Sequence, residues 1–321
     1  MKNAATTVLR GLLTVLAGVS LNATAGEGTQ AAPCTSTAGA AVAIVGAVLQ
    51  RDEAAVLRSI DAGADLKLCV SEREIRLLAE PKKHITYVGT PDPGYPLIVL
   101  LAVANMPKAV SALLERAPQQ LHALDPYGNS ALAWAARLAH TEVVRRLLNA
   151  GLDPLQGNDK RQTPLSLLVM SSEISAAKTE TVQALIGKVP RSRFSSIGVV
   201  DMVWLSAYQW DFETTRVLLE AGVPPHYVAP QGRTALYSAV ENANLAAVRL
   251  LLKYGARVSN TPYRGTSIFE LAEAMKTRNP PDTVEIHGLI ELEREALIAL
   301  GHEPPGSSPE DWNPPRETLP R

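Results

Sequence analysis

The sequence predicts an all-α solenoid of about seven helix-turn-helix units over residues 38–300. Three observations predict it. Glycines recur in phase, Gly94 to Gly128 at 34 residues and Gly232 to Gly265 at 33, each opening a related run of small and apolar residues. Apolar residues make up 46% of the 321 but aromatic residues only 5%, a balance that suits many short helices packed through small side chains. A further set of glycines, Gly151, Gly222 and Gly255, follows the second apolar stretch of a unit, where a left-handed turn ends a helix.

In chain order, the first unit is read from Ala54 to Asp65 and closes in Ala62-Gly63-Ala64-Asp65. About 20 residues then intervene before Gly94, within an insertion spanning 69–93. Ser71-Glu72-Arg73-Glu74 is a capping-box pattern for a short helix ending before Pro81, with a strand to follow at His84–Val88. The insertion is read either as an extension of a binding surface or as a tolerated surface loop. Gly94-Tyr95-Pro96-Leu97-Ile98, followed by Val110, Leu113 and Leu114, makes the second unit, and Asp125 to Asp153 the third. Asp159 to Leu165 opens the fourth; the fifth, Val199 to Val223, lacks a Thr-Pro-Leu start. Gly232-Arg233-Thr234-Ala235-Leu236 opens the sixth and Gly265-Thr266-Ser267-Ile268-Phe269 the seventh, whose second helix, Thr283 to Leu300, is longer and more charged. Extra residues at Ser171–Glu180 and Lys276–Thr283 fall between the helices of a unit.

The spacing has a mechanism. Thr163 before Pro164 places an N-cap and a preset φ at the first helical position, so a helix restarts at a fixed place. One unit cannot bury its own apolar face, so only stacked neighbours make a core. The third unit along nearly its full length, and Thr163-Pro164-Leu165 in the fourth, resemble the ankyrin repeat.

That resemblance implies a cupped array in which short β-hairpin fingers between the units, together with the first helices, line a concave face that holds a protein partner. The family's variable contact positions fall here at Tyr127, Asn129, Arg137 and Leu138, at Lys160, Gln162 and Met170, at Gln231, Arg233, Glu241 and Asn242, and at Tyr263, Arg264 and Met275. Tyr127, Arg137, Arg233, Tyr263 and Arg264 lead among them, since Tyr and Arg bury large area and keep a polar handle. His140 stands where such repeats carry a histidine bonded to neighbouring backbone, and Trp134 falls inside its helix.

Outside the array, Lys2 and Arg10 flank an apolar stretch of 11 residues, Gly11 to Leu21, and Ala23-Thr24-Ala25 supplies a small-residue cleavage pattern. Residues 1–25 therefore read as an export signal, too short to span a bilayer, and no membrane span is expected in the mature chain. The expected compartment is the bacterial periplasm, with secretion as the alternative. Residues 26–37 read as a loose leader and 301–321, with six prolines, as a disordered tail. Export places Cys34 and Cys69 in an oxidising environment, where a pair is more often a disulfide than two thiols; a reactive thiol is the weaker alternative.

A formal charge of -1 excludes a field suited to phosphate backbones, so nucleic acid is not expected as a partner. The six histidines, His84, His122, His140, His226, His287 and His302, have no metal-ligand spacing, and neither a phosphate loop nor a Gly-x-Ser-x-Gly elbow occurs. No cofactor, metal or enzymatic activity is expected. The sequence points to a monomeric protein-binding module. Neutralising a toxin, as an immunity protein does, is the leading role; supporting an envelope or stress-defence enzyme, or acting on host proteins as a secreted effector, are the alternatives.

Overall fold

Seven helix pairs follow one another in the computed structural model, which describes residues 40–79, 94–171, 174–196, 198–229, 233–258, 263, 265–276 and 282–299. The export segment, the leader with Cys34, the strand expected at 84–88 and the tail lie outside these residues. The first unit is α1 (Ala40–Leu49) and α2 (Glu53–Asp61). The insertion contributes β1 (Cys69–Val70) and α3 (Glu72–Leu78). After β2 (Tyr95–Pro96) come the pairs α4 (Leu97–Val103) with α5 (Pro107–Arg116), α6 (Ala131–Arg137) with α7 (Thr141–Asn149), and α8 (Pro164–Val169) with α9 (Ala176–Ile186). Three more follow: α10 (Val200–Tyr208) with α11 (Phe212–Ala221), α12 (Ala235–Glu241) with α13 (Leu245–Lys253), and α14 (Ile268–Lys276) with α15 (Asp282–Ala299).

Side chains set where each helix begins. Ser130, Thr163 and Thr234 accept from the amides of Ala133, Ser166 and Tyr237 at 3.2, 3.1 and 3.0 Å, capping α6, α8 and α12. Asp52, Ser175, Asp211 and Asn244 do the same for second helices. Each such cap is worth about 1 kcal/mol. In the last unit a reciprocal pair does the work: Ser267 N–H donates to Glu270 at 2.7 Å and Glu270 N–H to Ser267 Oγ at 3.2 Å. Gly151 (φ 104°), Gly222 (97°) and Gly255 (84°) take the left-handed conformation after second helices, as the sequence predicts.

Packing is by rows. First helices lie on first helices from α4 through α6, α8, α10 and α12 to α14, and second helices on second helices from α2 to α15. A first helix is thus covered on both sides, which is why every residue of Leu97–Val103 and of Ala131–Ala136 is buried. Second helices, flanked in their own row and backed by their first helices, keep an outer face in solvent: α7 buries Val143, Val144, Leu147 and Leu148 and leaves Glu142 and Arg145 exposed. His140 Nδ1 lies 2.9 Å from Ala102 O, tying the third unit to the backbone of the second.

Helix α3 is the short helix that the capping box predicts. It packs against α1 on one side and α4 on the other, with Ile75 and Leu78 buried, and so fills the row between the first two first helices. Its capping box closes as the sequence predicts, Glu74 accepting from Ser71 N–H at 2.9 Å. Strands β1 and β2 pair antiparallel, Cys69 opposite Pro96 and Val70 opposite Tyr95, so the two ends of the insertion meet in one finger. No helix among the described residues is long and apolar enough to cross a membrane.

Candidate protein-binding surface

The fingers are built on carboxylate and amide side chains. Asp125 accepts from the amides of Tyr127 and Asn129 at 2.8 Å each, from Asn129 Nδ2 at 2.9 Å and from Trp134 Nε1 at 2.8 Å. Burial pushes the Asp125 carboxyl above the usual carboxylate range, against the pull of the bonds from Asn129 and Trp134. Asn129 Oδ1 in turn accepts from Asn158 Nδ2 at 2.8 Å, and Asn158 Oδ1 accepts from the amides of Lys160 and Gln162 at 3.0 and 2.9 Å. The fingers of the third and fourth units are therefore one ladder. Gly128, at φ 74°, sits where a Cβ would meet the Asp159 amide nitrogen at 2.9 Å, so no other residue fits between these fingers without displacing one.

Across the fifth, sixth and seventh units, first helices and fingers bring aromatic rings together around one arginine. Trp204 and Tyr208, one turn apart on α10, stack at 5.7 Å with an interplanar angle of 12°, and Trp204 Nε1 donates to Ser238 Oγ on α12 at 3.1 Å. Arg233, in the sixth finger, holds its guanidinium 4.9 Å from the Tyr208 ring centre and 5.0 Å from that of Tyr263, and pairs with Glu241 at the end of α12. Tyr263 meets Tyr237 edge to face at 5.3 Å. Each cation–π contact of this kind is worth about 0.5–2 kcal/mol, so the rings are held before any partner arrives. Burial also pushes the Tyr237 hydroxyl above the ordinary phenol value.

The residues expected to contact a partner divide. Lys160 is exposed at a fingertip, Tyr127 is half-buried beside the finger ladder, and Arg137 lies half-buried with its guanidinium 5.8 Å from the Trp134 ring centre. Arg233 and Tyr263 enter the aromatic cluster, Tyr263 only 7% exposed. Asn129 is also 7% exposed and its amide is committed to Asp125 and Asn158, so it serves the fingers rather than their outer surface. Gln231 and Arg264 lie outside the described residues. Trp204 and Tyr208 escaped the sequence reading because the fifth unit lacks the Thr-Pro-Leu start that phases a first helix. Setting Asp211 in register with His140, each heading a second helix, would have placed Tyr208 at the position of Arg137. Among the described residues no group of three or more His, Cys, Asp or Glu side chains is placed to hold a metal ion.

Comparison with known proteins agrees with this geometry. A model described as ankyrin repeats (3 copies) matches residues 97–193, and one described as ankyrin repeats (many copies) matches residues 207–268. A transient receptor potential cation channel subfamily A member 1 homolog from Caenorhabditis elegans is 31% identical over 152 residues, 47% of this chain but 12% of that protein. The chain thus spans about an eighth of that relative's length. Among solved structures, the ankyrin repeat domain of human ASB11 superposes with a TM-score of 0.54 at 16% identity, over 78% of this chain and 96% of that one. The ankyrin repeat domain of Bcl-3, described as a unique member of the IkappaB protein family, gives 0.55 at 20%, over 76% and 96%. An ankyrin repeat domain from Acinetobacter baumannii gives 0.52 at 21%, over 61% and 96%.

Proposed function

The chain belongs to the ankyrin-repeat family, and on that premise we propose that it is a non-enzymatic module of the bacterial periplasm that captures one protein partner on its finger and first-helix face. One observation carries the reading: the half-buried Trp204, Tyr208 and Arg233 form a prearranged aromatic and guanidinium surface, braced from beneath by the buried rings of Tyr237 and Tyr263 across three units. Aromatic and arginine side chains supply most of the energy at protein interfaces, and holding them in place beforehand lowers the entropic cost of binding. Capture by such an array consumes one module per partner, which suits a neutralising role toward a toxin.

Export through residues 1–25 and a Cys34–Cys69 disulfide belong to the same proposal. The basic start, apolar stretch and cleavage pattern support the first. For the second, Cys69 stands at the edge of the paired strands and carries no free thiol.

Affinity capture from periplasmic extract tests the proposal, comparing the wild-type chain with a Tyr127→Ala, Lys160→Ala, Tyr208→Ala variant whose circular dichroism and melting match it. A partner held by the wild type and lost by the variant is expected. Equal retention by the folded variant defeats the assignment of the surface, and recovery of the protein from the cytoplasm defeats the assignment of the compartment.

A further inference from the structure

Three large apolar side chains stand open along one edge of the fourth and fifth units. Met170 follows the last turn of α8, Ile174 lies just before α9, and Trp210 forms the turn between α10 and α11; they are 37%, 58% and 53% exposed. Trp210 is held at φ 63°, in the left-handed region, a place that Arg51, Asn105, Ala139 and Ala243 take in other units. Tryptophan is the costliest of these choices. It gains nothing for the turn that glycine or asparagine would not, and it leaves half an indole in water. The left-handed turn belongs to the repeat, so it is the ring itself, half-exposed where smaller or polar side chains stand in other units, that points to use from outside.

Beside this apolar group, between the third and fourth units, opens a crevice of about 90 Å³ lined by Arg137, Leu138, Ser171, Ser175 and Lys178 among others. The charge of Lys178 is spent within the protein: its Nζ donates to Val169 O at 3.2 Å and Ser171 O at 2.9 Å and pairs with Asp211 at 2.8 Å. Asp211 directly follows Trp210, so one ion pair joins the lysine that lines the crevice to the turn that carries the indole. Arg137 is different. Arg116, Arg145, Arg146, Arg216, Arg233 and Arg249 each face a carboxylate, but no ion pair among the described residues includes Arg137, which rests on Trp134 and lines the crevice. A half-buried guanidinium stacked on an indole, with two hydroxyls nearby, is suited to receive a carboxylate.

We infer that this edge takes an acidic, apolar peptide segment of the protein partner: an Asp or Glu carboxylate enters the crevice against Arg137, and apolar side chains of the same segment cover Met170, Ile174 and Trp210. The inference rests on the protein-binding reading above but not on the aromatic cluster of the last three units. Spacing follows from the stack. Two steps of the first-helix row separate α6, which ends in Arg137, from α10, which precedes Trp210; at about 9 Å per step and about 3.3 Å per residue of extended chain, the acid and the residue reaching Trp210 stand roughly five or six positions apart.

Selection of random dodecapeptides displayed on phage against the full chain tests this. Enriched peptides are expected to carry Asp or Glu about five or six positions from Leu, Phe or Trp, and to lose about tenfold or more in affinity on Arg137→Gln or on Trp210→Gly. Trp210→Gly relieves the left-handed strain and so keeps the fold, and Trp210→Asn serves as a second variant. Changing the peptide acid to its amide should abolish the effect of Arg137→Gln. Basic or uncharged winners, retention by both variants, or no enrichment at all overturns the inference. Peptides lost on Tyr208→Ala alone overturn it too while leaving the proposed function standing. Binding of anionic phospholipid vesicles that depends on Trp210, without any peptide binding, makes this edge a membrane contact and likewise overturns it.

Discussion

Replacing Lys178 by methionine tests what joins the fourth unit to the fifth. The ammonium group is 2% exposed and its partner Asp211 1%, and besides that 2.8 Å contact it satisfies two backbone carbonyls, Val169 O and Ser171 O. Methionine fills the same channel and bonds to none of them. Asp211 then keeps its bond from Thr214 N–H at 3.1 Å, but its other oxygen is left charged, buried and without a cation. Leaving half of a buried pair uncompensated costs about 3–5 kcal/mol, a large part of the roughly 5–15 kcal/mol that holds a domain folded. Adding Asp211→Asn removes the stranded charge and retains the cap, so the double variant should recover about 2 kcal/mol of that loss. Urea unfolding followed by circular dichroism measures all four corners of the cycle. Because a stacked array is held by nearest-neighbour contacts, the single variant should also broaden or split the transition, with units on either side of the break melting separately. Additive effects of the two substitutions, with one sharp transition throughout, would refute the view that this pair couples the units.

Other outcomes follow from the same geometry. Ala139 and Ala243 sit at φ 54° and 51° between the helices of their units, so Ala139→Gly or Ala243→Gly should stabilise the array by about 0.5–1 kcal/mol after glycine's entropic cost, a gain visible in thermal melts. Burial disfavours the ionised carboxylate of Asp125 and raises its pKa. Its stabilising contribution is thus fully present below the unfolded value of about 3.9 and is lost as pH rises through the higher folded value, so Asp125→Asn should flatten that decline in a pH series of urea melts. Asp125→Ala, which strands the Trp134 indole N–H and the Asn129 amide, should cost about 3 kcal/mol at any pH where the wild type folds. If Cys34 and Cys69 are bridged, reductant should raise the mass of the protein by two hydrogens and lower its stability by about 4 kcal/mol for a loop of this length; an unchanged mass removes the bridge.

Much of the architecture was legible before any coordinates. The cap at Thr163, the glycines at 151, 222 and 255 and the capping box at Ser71 are local rules, each decided within a few residues by hydrogen bonding or by φ. They recur, so their phase counts the units. The surface was less legible. Position in the repeat placed Arg233 and Tyr263 near one another, but not the stacking of Tyr208 and Tyr263 on the guanidinium, and not the burial of Asn129.

The amino-acid sequence by itself determined that short helices would form in pairs and could bury their apolar faces only by stacking, because cap, turn and periodicity act over distances shorter than one unit. The tertiary structure alone decided which polar groups would be used up inside. Lys178 found Asp211 one unit away, Asn129 found Asn158 in the next finger, and helix α3 slipped between the first two first helices. Those contacts depend on how one unit sits on the next, to within the length of a hydrogen bond, and no pattern along a single chain sets that distance.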